Sequence, residues 1–368
     1  MTFSRLRSRH GLPVFVLLAC SLLSNAGAAA GPAPVVAVPY YHTVDLLQMQ
    51  RRHLSLPAAR QFREEADALR TTLAKGCTDR APARLAWTGT MAAWTRLSAV
   101  STGPLLQRRS ARAIDFQPTR PRLIEQAIDA LRTGSTGSTN GTPPTPPDAA
   151  QLERIGSPAK GLPALEWLLW SPAAPRDAAV CPYAVALADD LVREATAVEA
   201  AWQATDSAEA AEEPDEAQQT AAFAELINQW VGAVESLRWA DIERPLRAGR
   251  DDKLGWPRQT SGQTALAWRS RWEAIRTLTQ TPAVVPGEGA GLVTMALYLR
   301  GHGHLRLADT LDAATRQADA ALKNLRPQDP PARLQAASRA LARLRTLIET
   351  DVAGAAKVSI GFSDADGD

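Results

Sequence analysis

The sequence predicts an all-α protein built as two antiparallel helical bundles in tandem, on three observations. Apolar residues recur at three- and four-residue spacing through nearly every long segment. No segment sustains the alternation of a half-buried strand, apart from a short "KVSIGF" near the end that reads as extended. The plan of long helices is also set out twice, once on each side of an acidic stretch at 206–218 that carries no apolar stripe and reads as a hinge. A length of 368 residues accommodates two such units and a large core. With 41 Lys and Arg against 39 Asp and Glu, the chain has no single-sign field, which argues against nucleic acid or a polybasic membrane surface as a partner.

Residues 1–30 read as an export signal: "MTFSRLRSRH" is basic, "GLPVFVLLACSLL" is apolar but short for a membrane span, and "SNAGAAAG" supplies small residues for cleavage. A signal-peptidase cut after Ala28 or Ala30 competes with a lipoprotein cut before Cys20 in "LLAC". The apolar run continues past Cys20 into "SLL", which favours a periplasmic product, and a lipid on Cys20 would be its only membrane anchor.

The first bundle is expected over 36–205. Its helices are "TVDLLQMQRRHLSLPAARQFREEADALRTTLAKGC", ending on a Gly; "APARLAWTGTMAAWTRLSAV", with Trp87 and Trp94 two turns apart on one seam; "TRPRLIEQAIDALR"; "GLPALEWLLW"; and "CPYAVALADDLVREATAVEAAWQ", with Pro182 in its first turn. The Gly, Ser, Thr and Pro run within 134–150 cannot pack and is expected to be a disordered insertion. The second bundle, 219–368, repeats the pattern, with Trp268 and Trp272 on one helix face and an acidic "GFSDADGD" tail.

Export gives the cysteines a reading. Cys77 ends the first long helix and Cys181 opens a later one, and in an oxidising compartment two such thiols are expected to form a disulfide.

Chemistry is harder to find. HExxH, GxSxG and P-loop patterns are absent, so no catalytic residue is assigned. His302 and His304 in "GHGH" are two apart and would point to different sides of a helix, as polar residues at a bend do. The tail "SDADGD" lacks the remainder of a calcium loop, though Asp366 or Asp368 could fold back onto a site. The exception is Glu166, alone inside the most apolar segment of the chain. A buried carboxylate must be paired, hydrogen-bonded, protonated or metal-bound. Glu166 is therefore either a ligand for a metal or organic molecule between helices, or a structural anchor paired with an Arg such as Arg84 or Arg112 or capping backbone amides.

The ordered segments "AWTGTMAAW", "GPLLQRRSARAIDFQP", "KGLPALEWLLW", "CPYAVALADDL", "SGQTALAWRSRWEAIRTL" and "VSIGFSDADGD" together resemble the imelysin family of exported bacterial helical proteins. The resemblance spans nearly the whole mature chain. It implies two bundles of the four-helix type, a periplasmic or outer-membrane lipoprotein location and an association with iron acquisition; the family is also catalogued among peptidases. Many members carry GxHxxE, a proposed divalent-metal site, whereas this chain has Gly161, Pro163 and Glu166, so the His ligand is missing. Asp115 in "AIDFQP" and Ser261 in "SGQT" fall in matching segments, and with Arg112 they complete the candidate ligand pocket around Glu166. The expected function is a non-catalytic binding or accessory protein handling iron, another metal or an organic ligand. A peptidase and a module that docks an envelope protein are the alternatives. A divalent or ferric ion is the cofactor implied, with Glu166 as its one visible ligand.

Overall fold

The first periodic segment forms one helical run: α1 (Thr43–Gln50), a π-helical turn (Arg51–Ser55) and α2 (Leu56–Ala74). The π turn has a cause in the sequence. Pro57 has no amide hydrogen, and its ring would collide with the carbonyl of His53; widening the turn, so that the Leu56 amide reaches the Arg51 carbonyl, relieves the clash. The computed structural model describes residues 38–361 apart from 78, 135–146, 177–178, 213–214, 249–254 and 286–290. The export signal with Cys20, most of the expected insertion and the tail bearing Asp366 and Asp368 lie outside the described residues.

Helices α3 (Ala81–Leu97), α4 (Pro104–Gln107), α5 (Ser110–Ile114), α6 (Pro121–Gly134), α7 (Ala149–Arg154), α8 (Gly161–Trp170) and α9 (Val180–Ala211) complete the first half. Residues 147–150, expected in the insertion, instead lead into and begin α7: Asp148 caps it reciprocally with Gln151. The buried faces of α2, α3, α8 and α9 meet in one core around Phe62, Trp87, Trp94, Leu165 and Leu187. Trp87 and Trp94 share that core, as their two-turn spacing predicts, and each such side chain contributes about 1.5–3 kcal/mol by leaving water.

Helices α2 and α9 run antiparallel, with their charges paired along the seam. Arg51 meets Asp206 and Glu209, Arg63 meets Glu199, and beyond Arg70 the Cys77–Cys181 disulfide closes the far end, with Cα atoms 5.5 Å apart. The expected hinge at 206–218 therefore divides differently. Residues 206–211 continue α9, where Asp206 and Glu209 neutralise the buried Arg51, and Asp215 caps the next helix. An acidic run that looks solvated in the sequence is the counter-charge of an arginine 155 residues away.

The second half comprises α10 (Glu216–Glu235), a π segment (Ser236–Glu243), α11 (Arg244–Ala248), α12 (Thr264–Thr279), α13 (Met295–Gly301), α14 (Leu305–Leu322), α15 (Pro331–Leu347), a further π turn (Ile348–Val352) and α16 (Ala353–Ala355). Its core gathers Trp230, Trp268, Ile275, Leu311 and Leu341. The second π segment also precedes a proline, Pro245, whose ring would meet the Asp241 carbonyl in a regular helix. His302 and His304 lie at the bend between α13 and α14, where His302 Nε2 is 2.9 Å from the Tyr41 carbonyl. "KVSIGF" forms no strand among the described residues; Val358 and Ile360 pack on the core, and the Gly361 amide donates to Asn228.

The two cores are interlocked through shared helices. Tyr41, Leu46 and Met49, expected in the first bundle, belong to the second core, so the α1–α2 run serves both. In the other direction, Ala267 of α12 is buried in the first core. Among the described residues no helix is long and apolar enough to cross a membrane.

The disulfide separates residues 104 apart, so the chain-entropy model assigns it about 4–5 kcal/mol. The double variant Cys77→Ser/Cys181→Ser is expected to lose most of that in equilibrium urea denaturation; a midpoint unchanged from the oxidised parent would show that the staple does not limit the unfolded chain.

Candidate functional site

Glu166 sits near the middle of α8, buried between the two cores. The start of α8 fixes where it points. Gly161 adopts φ +70° and lies so close to α5 that a Cβ atom there would approach the Ile114 carbonyl oxygen to 2.2 Å. Only glycine fits both the backbone angle and the space. This contact sets the start of α8 against Ile114 and the adjoining Asp115, with Glu166 on the same helix. At the other end of α8, Arg84 donates to the Leu169 carbonyl and stacks over Trp170, while Arg80 donates to the Leu168 carbonyl, so one arginine of α3 and the one at its N-cap together cap the orphan carbonyls of α8.

The guanidinium that meets Glu166 is Arg258, neither Arg84 nor Arg112. Arg84 is committed to the end of α8, and Arg112 is exposed on α5. Arg258 comes from the loop preceding α12 and is almost completely buried. Its Nη2 donates to Asp115 Oδ2, its Nη1 lies 3.5 Å from Glu166 Oε2, and its plane packs over Trp87. The other oxygen of Glu166 accepts from the Ser261 amide at 2.9 Å and the Ser261 hydroxyl at 2.7 Å. Burial works against the Arg258 cation, but the carboxylates of Asp115 and Glu166 outweigh it and hold its pKa above the ordinary value.

The loop is shaped to deliver this side chain. Arg258 has φ +59°, an uncommon angle for a residue with a Cβ. The turn around it is closed by the Gln263 amide on the Arg258 carbonyl and by the Thr264 hydroxyl on the Pro257 carbonyl. Trp256 and Trp268 pack edge to face beneath it.

A second buried acid adjoins the cluster. Asp241, on the π segment before Pro245, pairs with Arg271 of α12 at 3.5 Å. Burial raises its pKa, and the charge of Asp115 adds to the rise, against the opposing pull of Arg271, Arg258 and Arg244. Sequence reasoning identified Asp115, Glu166 and Ser261, which the structure brings together. It missed Arg258, Asp241 and Arg271. One signal was available: a proline four residues after an acid, as in "DIERP", marks a helix that must open at that acid.

The donor set does not suit a metal ion. Oε1 of Glu166 accepts two hydrogen bonds, Oε2 faces the Arg258 cation as an ion pair at 3.5 Å without a hydrogen bond, Pro163 supplies no ligand atom, and the place between the two carboxylates is held by the guanidinium of Arg258. Among the described residues, no group of three or more His, Cys, Asp or Glu side chains is arranged to hold a metal. The arrangement clamps α5 and α8 of the first half to the entry of α12 in the second.

These features define an all-helical protein with two interlocked cores joined by a buried charged network. Two solved structures share that fold. An imelysin-like protein from Psychrobacter arcticum 273-4 superposes with a TM-score of 0.69 at 20% identity, covering 89% of this chain and 100% of its own. A protein from Parabacteroides distasonis ATCC 8503, named as a candidate iron-regulated protein A precursor, superposes with a TM-score of 0.62 at 15% identity, covering 86% of this chain and 96% of its own. No curated protein sequence matches the chain significantly. The family described as imelysin, peptidase M75, matches residues 55–353, and the chain belongs to the imelysin family.

Three outcomes follow from the network. Glu166→Ala leaves the buried Arg258 with Asp115 as its one counter-charge and removes the acceptor of the Ser261 amide, and is expected to lower the unfolding free energy by about 2–3 kcal/mol. A double-mutant cycle should give a Glu166–Arg258 coupling of at least about 1 kcal/mol and essentially none for Glu166–Arg112; equal couplings would refute the assignment. The pKa of Asp241 is raised in the folded state, so between the ordinary value of 3.8 and its own higher value the native protein binds more protons than the unfolded chain. Stability contributed by the neutral acid is full below 3.8 and is lost as pH rises through the folded pKa. Urea titrations against pH should show that decline in the parent and a flatter profile in Asp241→Asn.

Proposed function

We propose that this chain is a non-catalytic binding or accessory protein of the bacterial cell envelope, handling a ligand rather than transforming it. The observation that carries the reading is Arg258 lying between Asp115 and Glu166. Where the family motif is associated with a metal, this chain has Pro163 in place of the histidine and an internal cation against its acid. A guanidinium remains charged at any physiological pH and is tethered to the chain, so it offsets the charge of the carboxylates throughout that range.

Export is supported by the N-terminal signal pattern and by the disulfide, which persists in oxidising compartments. A periplasmic location follows, with lipidation at Cys20 as the variant in which the protein is anchored to the outer membrane. A role in iron or metal uptake is supported by the family and by the name of the Parabacteroides relative. Within that role the chain acts through a ligand or a protein partner, with Glu166 as a structural anchor. The peptidase reading rests on the family's description alone; metal-assisted hydrolysis needs an ion and a polarised water, and the acid that would serve both is occupied.

Elemental analysis of the tag-free mature protein, with calorimetric titration of ferric and zinc ions into the parent and Glu166→Gln, tests this. No stoichiometric ion dependent on Glu166 is expected, and no cleavage of denatured casein that survives repurification. A bound ion lost in Glu166→Gln, or cleavage abolished by that change in a protein that still folds, would overturn the proposal.

A further inference from the structure

At the opposite end of the α3–α12 contact from Arg258 lies a cleft of about 230 Å³. Its walls come from both halves: Leu54 in the π turn, Leu97 at the end of α3, Leu226 of α10 and Leu278 of α12. These side chains make an apolar floor. Two polar groups that line it have no hydrogen-bond or ion-pair partner among the described residues. Gln50, the residue immediately before the π turn, is 7% exposed, and its Nε2 is buried without a hydrogen-bond acceptor. Arg96, half-buried on α3, makes no ion pair or side-chain hydrogen bond among the described residues, although this chain pairs its other half-buried arginines freely.

A buried amide hydrogen without an acceptor costs about 1–3 kcal/mol, so a site that retains one gains when a ligand supplies an oxygen. An unpaired guanidinium at the edge of an apolar cleft is matched by a carboxylate, which it can grip with two parallel hydrogen bonds. The π turn contributes to the shape: it widens the helix just after Gln50 and turns Leu54 and Ser55 towards the same cleft, and such turns recur at ligand sites. Glu273 also lines the cleft and is exposed, so it repels an anion from that side and leaves Arg96 as the cationic pole that receives one.

We propose that this cleft binds a small organic carboxylate with an apolar body, its acid on Arg96, a carbonyl or second oxygen on Gln50 Nε2 and its hydrocarbon against Leu97, Leu226 and Leu278. The volume is below that of a typical drug-sized pocket, about 300 Å³ and upward, which limits the ligand to the size of an amino-acid derivative or a short-chain or aromatic acid. The assignment rests on the binding-protein reading above, and it gives that reading a site remote from Glu166.

The test uses N-acetyl-leucine and its uncharged counterpart N-acetyl-leucinamide, titrated by calorimetry and followed by thermal shift, into the mature protein and the variants Arg96→Gln, Arg96→Lys and Gln50→Leu. The acid is expected to bind at millimolar concentration or tighter and the amide at least about tenfold more weakly. Arg96→Gln should abolish that preference, Arg96→Lys should restore part of it, and Gln50→Leu should weaken both probes while raising the melting temperature of the free protein. No binding of the acid by the parent, or equal binding by the parent and an Arg96→Gln protein with an unchanged melting temperature, overturns the assignment. Neither result bears on the Glu166 assays: metal binding through Glu166 would overturn the reading of function and leave the cleft measurements standing, while an empty cleft with no metal site would remove only the carboxylate.

Discussion

The burial of Arg258 is the constraint on which the junction of the two halves depends. A guanidinium removed from water costs several kcal/mol, and it is tolerable only with counter-charges held in place. Asp115 and Glu166 are those counter-charges, and both positions are fixed by a single contact, the approach of Gly161 to the Ile114 carbonyl. Trp87 then closes over the guanidinium and donates its indole hydrogen to the Leu162 carbonyl, which ties α3 to the same point. The loop that carries Arg258 also carries Ser261, so one short segment provides both the cation for one oxygen of Glu166 and the hydrogen bonds for the other. Burial explains the adjoining acid. Burial is the first cause of the raised pKa of Asp241, and the charge of Asp115 adds to it, against the pull of its partner Arg271 and of Arg258 and Arg244.

The rest of the architecture carries the same principle outward. Arg51 is buried at the π turn because Asp206 and Glu209 at the end of α9 reach it, and the α2–α9 seam is closed at its far end by the disulfide. The α1–α2 run begins in the second core and ends in the first, and α12 contributes to both. Two continuous helices therefore bridge the halves, in addition to the charged network. A hinge between independent bundles would leave its connecting segment free of such contacts; this segment is engaged at Asp206, Glu209 and Asp215.

What the sequence revealed divides along the range of the interactions. Helices such as Leu56–Ala74 and Ala81–Leu97 were legible because amphipathic spacing is local, and Trp87 and Trp94 could be placed in a core because two turns return a residue to the same face. Cys77 and Cys181 could be paired because so few thiols were available in an exported chain. Glu166 was conspicuous because it stood alone among apolar residues. Its partner was not, because Arg258 is one arginine among many, and nothing in "GWPRQTSG" marks it as buried rather than exposed on a turn. The acids at 206–209 misled for the same reason: composition describes them as solvated, and only tertiary packing supplies Arg51. The allegiance of α1 to the second core was hidden because its helical period continues unbroken in character through the π turn that redirects it.

The strut and the cleft are related through α3 and α12. Trp87, which packs on Arg258, and Arg96, which lines the cleft, are nine residues apart on α3, or about 14 Å along the helix axis. On the facing helix, α12 starts just after Ser261 and reaches the cleft at Leu278. Fixing one end of this helix pair with a buried ion cluster limits how far the other end can open. A small cleft with two widely separated polar contacts benefits from that restriction, because the order its ligand would otherwise impose already exists in the free protein. The motif acid would then affect recognition without touching the ligand: it fixes the helices between which the cleft is formed. This division of labour also accounts for a proline at the histidine position of the motif. Once Glu166 is satisfied by Arg258 and Ser261, a side chain able to recruit a competing cation to that carboxylate would weaken the clamp, whereas Pro163 is fully accommodated in the first turn of α8 and competes for nothing.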